Sequence, residues 1–117
     1  MQRVQGIGGY FFRASDPTAL AAWYRDALGL ETDEYGLWEP AAGPTVFAAF
    51  ERDTEYFGST AQQTMLNFRV ADLDAMLAQL REKGAAVADD VQEMAGVGRF
   101  GWVTDPEGNR VELWQPA

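Results

Sequence analysis

Apolar spacing along the chain switches twice from the period of a strand to the period of a helix. Residues about 6–14 (GIGGYFFRA) are an aromatic, glycine-rich run that reads as a buried strand. Asp16-Pro17 then offers a helix N-cap followed by a proline at the first helical position. Leu20, Trp23, Tyr24, Ala27 and Leu28 recur at helical spacing until Gly29 stops them. Short strands are predicted near 35–39 and 45–51, separated by the turn formers Ala42-Gly43-Pro44. After a polar connection, Glu51 to Gln62, the pattern starts again. A strand is predicted at about 64–71, then a helix capped by Asp72 with Leu73, Met76, Leu77 and Leu80 on one face and Gly84 at its end. Val87 opens another extended stretch, and the loop around Glu93–Gly98, with its two glycines, is expected to be mobile. Phe100–Thr104 and Arg110–Gln115 flank Asp105-Pro106-Glu107-Gly108-Asn109, a strong turn signal between two strands.

The recurrence extends to individual residues. Phe12-Arg13, Asp16, Ala19 and Leu20 return as Phe68-Arg69, Asp72, Ala75 and Met76, each 56 positions later. The order of strand, helix and further strands, given twice, predicts an α+β fold: tandem βαβββ units forming a curved mixed or antiparallel sheet around a cleft, with the helices outside. The 117 residues suit one domain, 1–117, with repeat one at about 4–52 and repeat two at about 62–117. Facing copies leave a concave surface suited to a small ligand.

Composition narrows the chemistry. The chain contains no cysteine and no histidine, so disulfides, thiolates and Ser/His/Asp nucleophile systems are excluded, along with the commonest general base and nitrogen metal ligand. Any chemistry falls to carboxylates, Tyr, Lys, Arg or a metal held mainly by oxygen. The formal net charge is −9 without a Lys/Arg cluster, which disfavours nucleic acid and anionic membrane surfaces as partners. Gln2, Arg3 and Gln5 interrupt the N-terminus before a signal-peptide core, and the absence of cysteine fits a reducing compartment; a cytoplasmic location is expected.

The segments GIGGYFFRASDPTALAAWYRDALGLE and GRFGWVTDPEGNRVELWQP resemble the vicinal oxygen chelate superfamily, which includes glyoxalases, bleomycin-resistance proteins and extradiol dioxygenases. The resemblance covers nearly the whole chain and implies tandem βαβββ units and, for small members, a homodimer. It also implies a metal ligand in the first strand of each copy, seven residues before the acidic helix cap. Those positions are Gly9 and Met65, which offer no side-chain ligand to a hard cation. The ligand implied in the last strand falls on Glu112 in the second copy but on Phe47 or Ala48 in the first. No metal site is therefore expected.

Strand alternation groups Gly9, Phe11 and Arg13, then Met65, Asn67 and Arg69, then Arg110, Glu112 and Trp114, on faces that the resemblance turns toward the cleft. Tyr10, Phe12, Leu66, Phe68, Val70, Val111 and Leu113 pack under the helices. Glu112 is the tentative catalytic residue, as base or ligand-orienting acceptor; the alternative is a structural ion pair or a solvated strand-end carboxylate. Arg13 and Arg69 either bind an oxyanion together or pair locally. Trp38, Trp102 and Trp114, with Phe11, Phe47, Phe50 and Phe100, stack on a planar ligand or fill the core. Met65 and Met94 line a pocket or simply pack. The candidate ligand-binding residues are thus Phe11, Arg13, Met65, Asn67, Arg69, Trp102, Arg110 and Trp114. Two functions remain open. One is a metal-free, cofactor-free binder of an aromatic or amphipathic organic molecule. The other is a glyoxalase- or dioxygenase-like lyase, isomerase or oxygenase using Glu112 with a divalent metal or as general base. A third possibility is an interaction module whose cleft is filled by its own side chains.

Overall fold

The computed structural model describes residues 1–117. Two helices and five strands succeed one another as α1 (Pro17–Leu28), β1 (Asn67–Arg69), α2 (Leu73–Glu82), β2 (Ala86–Val87), β3 (Gln92–Met94), β4 (Gly98–Thr104) and β5 (Arg110–Pro116). The helices repeat the 56-residue offset, from Pro17 to Leu73. Their starts have one cause. The Asp16 and Asp72 carboxylates each accept the backbone N–H three residues on, from Ala19 and Ala75, at 3.0 Å. Both helices also stop at a left-handed glycine, Gly29 at φ 72° and Gly84 at φ 77°.

The sheet is mixed, with order β1-β5-β4-β2, and β3 also pairs with β4. β5 is central: it runs parallel to β1 and antiparallel to β4. Both helices lie on one face of it. Leu20, Tyr24 and Ala27 of α1, Leu73, Leu77 and Leu80 of α2, and Val103, Val111 and Leu113 of the sheet form the core. The approach is closest at Gly101, where a Cβ would lie 3.1 Å from a Leu77 methyl.

The turn after β4 fastens the first helix to the second copy. Asp105, nearly fully buried, accepts from the Tyr24 hydroxyl at 2.8 Å and from the backbone N–H of Glu107 and Asn109. The Glu107 carboxylate accepts the backbone N–H of Ser15 and Asp16 at 2.8 and 2.9 Å.

Two expectations need correction. The strand patterns at 6–14, 35–39 and 45–51 carry no ladder, so the first copy supplies a helix and extended chain but no sheet. Glycines 6, 8 and 9 raise the entropy cost of ordering the first segment, and Pro40 and Pro44 interrupt donors around the others. Both edges of β5 are already taken by β1 and β4. The strand expected over 64–71 is confined to Asn67–Arg69. The 93–98 loop is the tip of a hairpin, with residues 95–97 as its turn, because β3 pairs with β4 in register from Gln92 against Phe100 to Met94 against Gly98.

Candidate functional site

Sheet register builds the centre of the site. In β5, alternation sends Val111 and Leu113 into the helix-side core and turns Glu112 and Trp114 to the opposite face. Glu112 lies opposite Asn67 on β1 and opposite Trp102 on β4. Both neighbours donate to it: Asn67 Nδ2 to Oε1 at 2.7 Å and Trp102 Nε1 to Oε2 at 3.1 Å. A third donor, the Tyr56 hydroxyl, arrives from the connection between the copies and bonds Oε2. A carboxylate only 6% exposed is thereby surrounded by donors.

Tyr56 is held as firmly as it holds. Its ring meets Trp102 edge-on at 6.0 Å, and Phe50 stacks on it at 5.5 Å. Arg110 lies 4.9 Å over the Trp102 ring and donates to the Tyr56 carbonyl at 3.2 Å. The Gln62 amide grips the start of β5, donating to the Arg110 carbonyl at 2.8 Å and accepting its N–H at 2.7 Å. Burial, then the hydrogen bond and charge of Glu112, hold the Tyr56 phenol well above its ordinary value. Beside this cluster, Phe100 and Trp114 face each other across the β4–β5 ladder with ring planes 4° apart.

A cleft of about 3320 Å³ runs along the extended first-copy segments, bordered by this face and also by the helix-side residues Leu20, Tyr24 and Phe68. Of the residues singled out by sequence, Phe11, Met65, Asn67, Arg69, Glu112 and Trp114 line it. Trp102 sits behind Glu112 in the sheet, 2% exposed, with Arg110 above its ring. Arg13 is exposed and lies outside the lining, as does Trp102, while Met94, Trp38, Phe47, Phe50 and Phe100 contribute to it. Tyr56 and Gln62 were missed by sequence reasoning. Their one signal was an aromatic residue and an amide inside an otherwise polar connection.

The Glyoxalase-like domain profile matches residues 10–114, nearly the full chain. The chain belongs to this glyoxalase-like family. It is therefore a member of the vicinal oxygen chelate superfamily. Among solved structures, TnmS3, an antibiotic binding protein from Streptomyces sp. CB03234, is 22% identical, with both chains fully covered and a TM-score of 0.67. A lactoylglutathione lyase from Agrobacterium tumefaciens is 19% identical over 97% of this chain and 95% of its own, with a TM-score of 0.62. TioX from Micromonospora sp. ML1 is 18% identical over 89% and 93%, with a TM-score of 0.58. No curated protein matches the sequence significantly. A binder and a lyase share this glyoxalase-like fold, so the fold alone does not choose between them.

The glyoxalase-like family implies a divalent metal, and the donor set here does not suit one. Glu112 is met by two N–H donors and one O–H donor where further oxygen or nitrogen ligands would have to converge. No three His, Cys, Asp or Glu side chains converge anywhere in the chain. No helix is long and apolar enough to cross a membrane.

Proposed function

We propose that this glyoxalase-like protein is a metal-free, cytoplasmic binder of an aromatic or amphipathic organic molecule, held in the cleft against Phe11, Met65, Asn67, Arg69 and Trp114. The observation that carries the reading is the Glu112 cluster. The one buried carboxylate of the cleft already accepts from Tyr56, Asn67 and Trp102, so it stiffens a wall of aromatic rings that offers stacking surface. TnmS3, an antibiotic binding protein with the same fold, supports a binding role. Two copies of the chain pair to complete the cleft. The exposed apolar residues of the first copy, Phe11 and Phe47 above all, support that pairing.

Two measurements test the reading. Calorimetric titration of Mn²⁺, Fe²⁺, Ni²⁺ and Zn²⁺ into chelator-treated protein gives no stoichiometric binding. Binding that disappears in Glu112→Gln would overturn the metal-free assignment in favour of a lyase, isomerase or oxygenase. A thermal-shift panel of planar aromatic compounds then gives concentration-dependent stabilisation, as mass action requires of a ligand that binds only the folded state. A panel without such a hit removes the binding role.

A further inference from the structure

The Glu112 cluster fixes more than its own carboxylate. An ionised carboxylate only accepts hydrogen bonds, so every side chain that meets it turns a donor toward it. For Tyr56 and Trp102 this decides nothing further, because each brings a single polar atom. Asn67 brings two. Its Nδ2 donates to Glu112 Oε1 at 2.7 Å, and its carbonyl Oδ1 is thereby turned away from the carboxylate and takes part in no hydrogen bond of the chain. Asn67 is also the open member of the cluster: Glu112 and Trp102 are buried, whereas Asn67 is exposed on the wall of the cleft.

Register keeps the amide this way round. Glu112 on the central strand has Asn67 directly opposite on β1 and Trp102 directly opposite on β4. An Asn67 amide that turned over would set Oδ1 against Oε1, acceptor against acceptor, and leave an oxygen of a buried carboxylate without its donor.

We propose that Glu112 is a positioning residue and Asn67 a specificity-determining one. The carboxylate holds the amide so that Oδ1 stands in the cleft as an acceptor, and the site selects an aromatic ligand that carries a ring N–H or O–H. The assignment rests on the binding function proposed above and adds the polarity of the ligand. Glu112→Gln reverses that polarity. The buried Trp102 indole, which only donates, keeps the new amide oxygen on its own side. The new NH₂ group then faces Asn67, whose amide turns over to accept from it. Oδ1 is withdrawn from the cleft, and N–H groups take its place.

Three bicyclic probes of similar size read the polarity: indole, which only donates; 1-methylindole, which has lost the donor; and quinoline, which only accepts. Each is titrated into the full chain while its side-chain amide and indole N–H signals are followed by ¹⁵N NMR. The native chain binds indole about fivefold tighter than 1-methylindole, the size of one neutral hydrogen bond, and the Asn67 amide signals move with it. Asn67→Ala removes the difference. Glu112→Gln also removes it and makes quinoline the tightest of the three, a reversal that mere loosening of the sheet would not produce. In both variants unmoved backbone signals of Val103 and Val111 report an intact core. Equal affinity of the native chain for indole and 1-methylindole overturns the assignment and leaves the binding function standing. So does a preference for indole that survives either substitution. If neither these probes nor the aromatic panel bind, the binding function falls and the assignment with it.

Discussion

At the scale of single residues, Glu112 governs the exposed face of the sheet. Cross-strand register gives it Asn67 on one side and Trp102 on the other, and the connection adds Tyr56. Glu112→Ala leaves those donors without an acceptor, the buried Trp102 indole worst of all, and costs about 3 kcal/mol of stability by urea unfolding. Glu112→Gln costs less, because its amide oxygen keeps one of the bonds. Tyr56 and Tyr24 make a separate prediction. Burial, followed by the hydrogen bonds to Glu112 and Asp105, raises both phenols above the ordinary value. A raised folded-state value means stability that is complete below the unfolded phenol value of about 10 and declines as pH rises beyond it. Ultraviolet titration of the native chain therefore shows two tyrosines that ionise only as the fold is lost, and Tyr56→Phe removes one of them. Glu112 was legible as a focus because its strand alternates cleanly. Tyr56 was not, since nothing in a polar connection says where its side chain reaches.

At the scale of elements, what could be read depended on whether the signal was local. An Asp cap, an apolar stripe and a terminal glycine settle a helix within a dozen residues, and both helices formed where those signals lie. The turn at 105–109 was legible for the same reason. Strands need a partner, and periodicity is silent about one; thus 6–14, 35–39 and 45–51 have the pattern without the ladder. The turn also does more than reverse the chain, because Glu107 caps the backbone that leads into α1. The N–H groups of Ser15 and then Asp16 hold its carboxyl below the usual value. A lowered folded-state value gives stability that is present above the unfolded glutamate value, near 4.3, and lost as pH falls through the folded value. Glu107→Gln accordingly lowers the melting temperature at neutral pH. Measured against pH, the gap to the native chain closes on acidification below about 4. A gap that stays constant would show that the contact depends on shape and not on charge.

At the scale of the whole molecule, the two faces of the sheet differ in kind. The helix side carries the buried core, whereas the other face opens onto a space of about 3320 Å³ that also reaches Leu20, Tyr24 and Phe68 at the core's edge, several times the roughly 300–1,000 Å³ of a small-molecule site. The segments along it leave Phe11 and Phe47 more than nine-tenths exposed. Apolar side chains displayed along unpaired extended backbone offer both a hydrophobic surface and free ladder groups. The proposed pairing with a second copy of the chain would satisfy both needs and would narrow the cleft. Light scattering then gives a dimer at micromolar concentration. Phe11→Asp combined with Phe47→Asp shifts it to monomer, because each buried carboxylate would be unpaired in the interface. Neither residue belongs to the core of α1, α2, β4 and β5, so the far-ultraviolet helical signal survives the double substitution. Ligand stabilisation by the aromatic panel weakens in step with dissociation, since half of the cleft wall departs with the partner. If the monomer binds as tightly as the dimer, each chain closes its own site and the exposed segments fold back onto the sheet that faces them.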